Sequence, residues 1–162
     1  MIIRLARTFC KEEMNPIHYI LQDIQSLLIE VGASIATPQK NSIERVKRKT
    51  HFDEKHIKKL EDLIDEIDTK LPKLTKFILP SGGKSSSFLH VSRSVCRRAE
   101  RRIVALADDI DPNILKFINR LSDLLFQLSR LSAKNYGEPE IVHKKVEQIK
   151  NIFLKEKEKE EK

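Results

Sequence analysis

Between residues 112 and 131 the apolar side chains recur so densely at helical spacing that only a helix covered on several sides accommodates them. Ile114, Leu115, Phe117, Ile118, Leu121, Leu124, Leu125, Leu128 and Leu131 form the broadest apolar face in the chain. A face that wide needs more than one neighbour to shield it from water. Asp111-Pro112 supplies an N-cap followed by a proline suited to the first helical turn, and Tyr136-Gly137 supplies the stop.

The neighbours are written in the same way. Asn15-Pro16 repeats the cap-plus-proline start, and Ile17, Ile20, Leu21, Ile24, Leu27, Leu28, Val31 and Ile35 then make one apolar stripe that ends at Thr37-Pro38. Residues 39 to about 50 read as a polar, basic connection. A second stripe of Ile57, Leu60, Ile64, Ile67 and Leu71, with Leu63 beside it, predicts a helix from near Asp53 to Leu71-Pro72. "LTKFILPSGG" is an apolar segment closed by a turn. Ser85, Ser86 and Ser87 are expected to cap the next helix, which runs to about Asp108. Its core side is expected to hold Val95, Cys96, Ala99, Ile103 and Leu106.

Four long helices with short links predict an all-α antiparallel bundle. The scarcity of turn residues agrees, with 4 Gly and 6 Pro in 162 residues. One domain over residues 1–154 is expected, followed by a charged, solvated and disordered tail over 155–162. "MIIRLARTFC" lacks the apolar region and cleavage site of a signal peptide and reads as a piece of an amphipathic helix. No apolar run approaches the ~18 residues of a membrane span, so no membrane partner is expected. Cys10 and Cys96 do not make a disulfide framework.

The formal net charge of +7 favours polyanionic ligands, either nucleic acid or a phosphorylated small molecule. "GGKS" at 82–85 invites comparison with the phosphate loop G-x-x-x-x-G-K-[ST]. Ile78 stands where the first glycine belongs, and no buried strand precedes it, so this is not such a loop. The better candidate is the helix that follows. Arg93, Arg97, Glu100 and Arg101 share an arc of roughly 100° on it, with arginines at i, i+4 and i+8. Arginine forks match phosphate oxygens through paired N–H donors. Glu100 can brace Arg97 or accept from a sugar hydroxyl. The plainer alternative is a solvated basic face with one helix ion pair. Arg98 and Arg102 point farther round, toward solvent or another subunit.

Asn119, Ser122 and Asp123 interrupt the apolar face of the last long helix at i, i+3, i+4. They read either as structural interhelical hydrogen bonds or as a base or ribose contact from Asn119 with an ion pair from Asp123 to an arginine of the preceding helix. His18, His51, His56 and His143 have no metal-ligand spacing, so no protein-held metal is expected. His90 reads as a structural hydrogen-bonder, and Lys84 as a phosphate contact or a solvated side chain. Aromatic residues are 6% and are not interleaved with basic ones, which argues against a single-stranded nucleic-acid platform.

At these residues the chain resembles a known family. "FILPSGGKSSSFLHVSRSVCRRAERR" (77–102) is similar to the signature of the ATP:cob(I)alamin adenosyltransferases of the type that includes the mitochondrial human enzyme. "LLIEVGASIATP" (27–38) and "FINRLSDLLFQLSR" (117–130) resemble two further segments of that family in the right order. The resemblance spans roughly residues 17–135. It implies a five-helix, ferritin-like bundle assembled as a homotrimer, with sites between subunits. It implies transfer of the 5′-deoxyadenosyl group of ATP, accompanied by Mg2+, to the cobalt of cob(I)alamin. By this match Arg97, Arg98, Ala99, Glu100, Arg101 and Asn119 contact ATP, with Arg97 on the triphosphate as the catalytic arginine. Arg93 matches an arginine used in an interhelical or intersubunit ion pair, whose acid is not found in this chain, and Phe77 faces the corrinoid and helps exclude the lower axial ligand of cobalt. Cob(I)alamin is itself the nucleophile, so the protein is left with positioning, charge neutralisation and a dry site.

The family pattern also has parts that are not found here. A T-G-D-x-G-x-T phosphate-gripping loop and a T-x-D-E-L helix start do not occur, and Met1 aligns where the family's first long helix is already under way. The expectation is a truncated member with an incomplete first helix, a weakened ATP grip and little activity on its own. A mitochondrial location is implied by the resemblance, with no transit peptide in the chain. Alternatives are a non-catalytic member that binds cobalamin or joins trimers, and a basic helical nucleic-acid binder.

Overall fold

The computed structural model describes residues 2–144. The expected domain boundary at 154, the helix expected to begin near 146 and the charged tail lie outside the described residues. In chain order the elements are helices α1 (Ile2–Glu12), α2 (Ile17–Ile35), α3 (Glu44–Thr50) and α4 (Lys55–Lys70), strand β1 (Ile78–Leu79), and helix α5 (Gly83–Ile103). A 3-10 helix (Val104–Asp109), helix α6 (Pro112–Tyr136) and strand β2 (Ile141–Val142) follow. Among the described residues this is an all-α bundle of five long helices and one short one, with a single antiparallel strand pair.

The wide apolar face on α6 is central. It packs against α5, α4 and α2, while α1 packs against α5 and α2. Ile114, Phe117, Leu121, Leu124, Leu125 and Leu128 are all buried to 1% exposure or less. Each contributes about 1.5–3 kcal/mol of burial before entropy is charged against it. The helix ends as its sequence indicates. Asp111 accepts from the Asn113 N–H at 2.9 Å, and Gly137 stops the helix in the left-handed region at φ 85°. Asp111 also accepts from the Phe52 N–H at 3.0 Å and pairs with His51 Nδ1 at 2.7 Å, tying the α3–α4 junction to the start of α6.

Asn15 acts as expected, its Oδ1 accepting from the Ile17 N–H at 3.2 Å. "MIIRLARTFC" is helical, and Ile3, Ala6 and Cys10 face the core at i, i+3 and i+7.

Three local expectations are corrected. Residues 44–50 form a helix instead of an irregular connection. The segment contains no Gly or Pro, and Glu44 pairs with Lys47 one turn on at 2.9 Å; none of its residues is buried. The arginine helix spans Gly83–Ile103, starting before the serines expected to cap it and ending short of Asp108. Its last turn gives way to a 3-10 helix where Asp109 is drawn aside: the Asp109 carbonyl accepts from Gln39 N–H and its carboxylate from Lys40 N–H, both at 2.8 Å. Leu106 is in consequence exposed and not part of the core.

The third correction concerns the serine cap. Ser85 and Ser86 lie inside the first turn of α5, fully buried, and no side chain within the helix caps it. The cap comes from Glu13 at the end of α1, whose carboxylate accepts from the Lys84 N–H at 2.8 Å, from the Ser85 N–H, and from the Ser85 hydroxyl. A carboxylate at a helix N-terminus satisfies orphan N–H groups and the helix dipole together.

Candidate active site

α5 and α6 share the most extensive helix–helix contact in the bundle, and the sequence-predicted residues gather along that seam. Leu89, Ser92, Cys96 and Ile103 turn inward on α5, which leaves Arg97, Arg98, Arg101 and Arg102 exposed and Arg93 and Glu100 half-buried. Polar contacts cross the seam near the start of α5, where the Ser86 hydroxyl donates to the Ser129 carbonyl at 2.9 Å, and again near its end. Asn119 Nδ2 on α6 donates to Glu100 Oε1 on α5 at 2.9 Å. Arg101 Nη1 donates back to the Arg97 carbonyl at 3.3 Å, and the two residues stand one turn apart on the same face of α5. Arg97, Glu100, Arg101 and Asn119 therefore form one cluster, with exposed cations beside a carboxylate already oriented by an amide. Ala99 packs half-buried against the core. Arg98 stands beside the cluster, lining with Arg101, Ser94, Val91 and His90 a shallow groove along α5.

The ion pair expected between Asp123 and an arginine of α5 is not formed within the chain. Asp123 Oδ2 instead accepts from Arg120 Nη1 at 3.0 Å, and Arg120 Nε reaches Glu61 of α4 at 3.2 Å. The i, i+3 spacing on α6 and the neighbouring α4 carboxylate turn this set toward α4. Arg93 packs its guanidinium over the Phe126 ring at 5.2 Å, and its Nε is buried without a hydrogen-bond partner. Beside it His90 is held below its ordinary pKa by burial and by the Arg93 charge. The Ser122 hydroxyl is buried with no partner, so it makes no interhelical hydrogen bond. Cys96 lies under the seam, its thiol 3.5 Å from the Ile118 carbonyl and pushed up to about 11 by burial and by Glu100.

Phe77 is elsewhere. It precedes β1, is 86% exposed, and leads into the Gly82-Gly83 turn. Gly82 has φ 81°, and a Cβ there would lie 2.3 Å from the Ala133 Cβ, so the turn closes directly onto α6. Since Glu13 already fills the α5 N-terminus, "GGKS" is a backbone junction and not an anion cradle. Sequence reasoning missed Glu13 and Glu138, which hold this junction, and Arg130 and Glu140, which pair with each other. Only Arg130 left a trace, as a charge within an apolar run. Among the described residues no group of three or more His, Cys, Asp or Glu side chains converges on a metal position, and no helix is long and apolar enough to cross a membrane.

α5 thus carries an exposed row of arginines next to a carboxylate–amide pair that spans the α5–α6 seam. The cobalamin adenosyltransferase family model matches residues 1–132, and the chain belongs to that family. It is 47% identical over 145 residues to corrinoid adenosyltransferase MMAB of Bos taurus, an alignment covering 88% of this chain and 60% of that protein. It is 49% identical over 147 residues to the Homo sapiens protein of the same name, covering 90% and 56%. The chain thus spans a little over half the length of these relatives. Among solved structures, a variant PduO-type ATP:corrinoid adenosyltransferase from Lactobacillus reuteri, complexed with cobalamin and ATP, superposes with a TM-score of 0.80 at 32% identity. That superposition covers 89% of this chain and 79% of the other.

Proposed function

We propose that the chain contributes the site of a corrinoid adenosyltransferase, in which the cobalt of cob(I)alamin attacks the 5′ carbon of ATP, a cobalt–carbon bond forms, and triphosphate leaves. The observation that carries this reading is the Arg97–Glu100–Arg101–Asn119 cluster on the α5–α6 seam of a chain belonging to this family. Arg97 and Arg101 take phosphate oxygens and offset the charge that accumulates on the leaving triphosphate. Arg98 extends that row. Glu100, oriented by Asn119, accepts from the nucleoside. Magnesium arrives with ATP as part of the substrate. Phe77 presents an apolar ring to the corrinoid and keeps the lower face of cobalt dry. No general base is required, because the nucleophile is the metal of the substrate itself.

Arg97 lies fourteen residues into α5 from Gly83, a rise of about 21 Å along the helix axis. Phe77 lies before that helix begins. The homotrimer, with sites between subunits, is carried over from the family resemblance. The same resemblance carries the proposal of a mitochondrial location.

The test is binding. Titration of the chain with ATP, followed by calorimetry, and with cob(II)alamin, followed by its visible absorption, is expected to give saturable binding of both. Arg97→Ala is expected to weaken ATP by roughly tenfold or more, the scale of a lost charge-assisted pair, and to leave cobalamin unchanged. Binding of neither ligand, or ATP binding indifferent to Arg97→Ala, contradicts the reading.

A further inference from the structure

Arg130 is the one guanidinium in the core among the described residues. It sits on the inward face of α6 at 3% exposure. A charge so placed is costly unless every donor is used. Here Nε donates to Glu140 Oε1 at 2.6 Å, Nη2 to the Pro72 carbonyl at 2.7 Å, and Nη1 to Gln127 Oε1 at 3.2 Å. None of these contacts belongs to the ATP cluster. They join the end of the α4 connection to the segment that follows α6.

That segment holds the one carrying Phe77. His143 N–H donates to the Phe77 carbonyl at 2.8 Å. Ile78 pairs with Val142 and Leu79 with Ile141. At the far end the Gly82 N–H donates to Glu138 Oε2 at 3.0 Å. Residues 77–82 are thus strapped at both ends to residues 138–143. A two-residue strand pair has little stability of its own. Among the described residues the strap is tied down by the Arg130–Glu140 ion pair, where the Glu140 side chain is 23% exposed and that of Arg130 is 2% exposed.

We propose that Arg130, through Glu140, is the positioning residue for Phe77: it locks residues 138–143 onto α6, and that strap sets the height and direction of the exposed Phe77 ring against the corrinoid. The proposal rests on the functional reading above for the identity of the ligand, but not for the strap itself. It predicts that the corrinoid and nucleotide halves of the site can be weakened separately, since the Arg97 cluster lies at the other end of α5.

The experiment uses the whole chain with Glu140→Ala, which removes the partner at the surface end without altering the sequence of α6, and Glu140→Gln, which retains an accepting oxygen. Two readouts are taken: hydrogen exchange of the His143 amide, and dissociation constants for cob(II)alamin and for ATP. In Glu140→Ala, His143 exchange is expected to accelerate by roughly tenfold or more while amides in the middle of α6 keep their protection. Cob(II)alamin affinity is expected to fall by roughly ten- to a hundredfold, the scale of a misplaced positioning group, with ATP affinity within about twofold of the parent. Glu140→Gln should recover part of both losses. Unchanged His143 exchange overturns the strap. Faster exchange with unchanged cob(II)alamin affinity, or equal losses for both ligands, overturns its link to Phe77. A parent chain that binds neither ligand contradicts the functional reading and with it that link, and the exchange data then decide the strap alone.

Discussion

Asn119 Nδ2 donates to Glu100 Oε1 at 2.9 Å across the α5–α6 seam, one helical turn from Arg97. The amide fixes the direction of a carboxylate that would otherwise swing between four exposed arginines. If the two side chains serve the nucleotide as one unit, their effects are not additive. In a double-mutant cycle on ATP affinity, Asn119→Ala combined with Glu100→Gln should show a coupling of about 0.5–1.5 kcal/mol, the worth of the hydrogen bond they share. Strict additivity would mean that the pair is a structural tie with no part in binding.

Arg97 carries the larger effect. In a protein that turns over, Arg97→Ala should cost about 2–4 kcal/mol in kcat/KM, the scale of a lost donor on developing charge. Arg97→Lys should recover only part of it, because an ammonium group cannot reproduce the planar fork. Steady-state rates of both variants within about twofold of the parent would remove Arg97 from the triphosphate.

Much of this was legible in the chain. The α6 face, the Asn15 and Asp111 caps, the Gly137 stop and the arginine row all depend on residues within one or two turns of each other. Local spacing carries that information. The α5 N-terminus was misread because three serines beside a turn look like caps, whereas the cap is Glu13, more than 70 residues away in sequence. Asp123 was assigned to the arginines of α5 because i, i+4 arithmetic does not say that Arg120 and Glu61 stand nearer. Arg130 showed only as a charge among leucines. Its partners Pro72 and Glu140 come from two loops that no periodicity connects.

The Gly82 turn gives a test of stability. A Cβ at this position would meet the Ala133 Cβ at 2.3 Å and its Cα at 2.5 Å, and the backbone stands at φ 81°. Gly82→Ala should therefore lower the unfolding free energy by about 2–4 kcal/mol, strain and overpacking acting together. Gly32 has nothing within 4 Å of an added Cβ and lies inside α2. There Gly32→Ala should be neutral or stabilise by up to about 1 kcal/mol. Urea midpoints of the two variants check both signs.

The Cys96 thiol predicts a pH dependence. Burial, aided by Glu100, raises it from 9.0 to about 11 in the fold. Between those values the unfolded chain releases the proton and the folded chain keeps it, so the unfolded state binds fewer protons and stability falls as pH rises. Below 9 the contribution is fully present; by about pH 11 it is lost, with a total on the order of 2 kcal/mol. Cys10 is raised to about 11 in the same way, chiefly by burial, so the parent should lose stability twice over in this window. Cys96→Ala should lose less between pH 9 and 11 than the parent does. Parallel denaturation profiles of parent and variant would show that the thiol is not protected in the fold.

The central claim is that residues 13–143 contribute a working ATP–corrinoid site. Its most direct measurement grafts those residues into a full-length relative and follows adenosylcobalamin formation from ATP and chemically reduced cobalamin by the accompanying spectral change. We expect ATP-dependent turnover by the chimera and its collapse with Arg97→Ala. A chimera that folds and assembles like its parent, yet forms no adenosylcobalamin, would contradict the account.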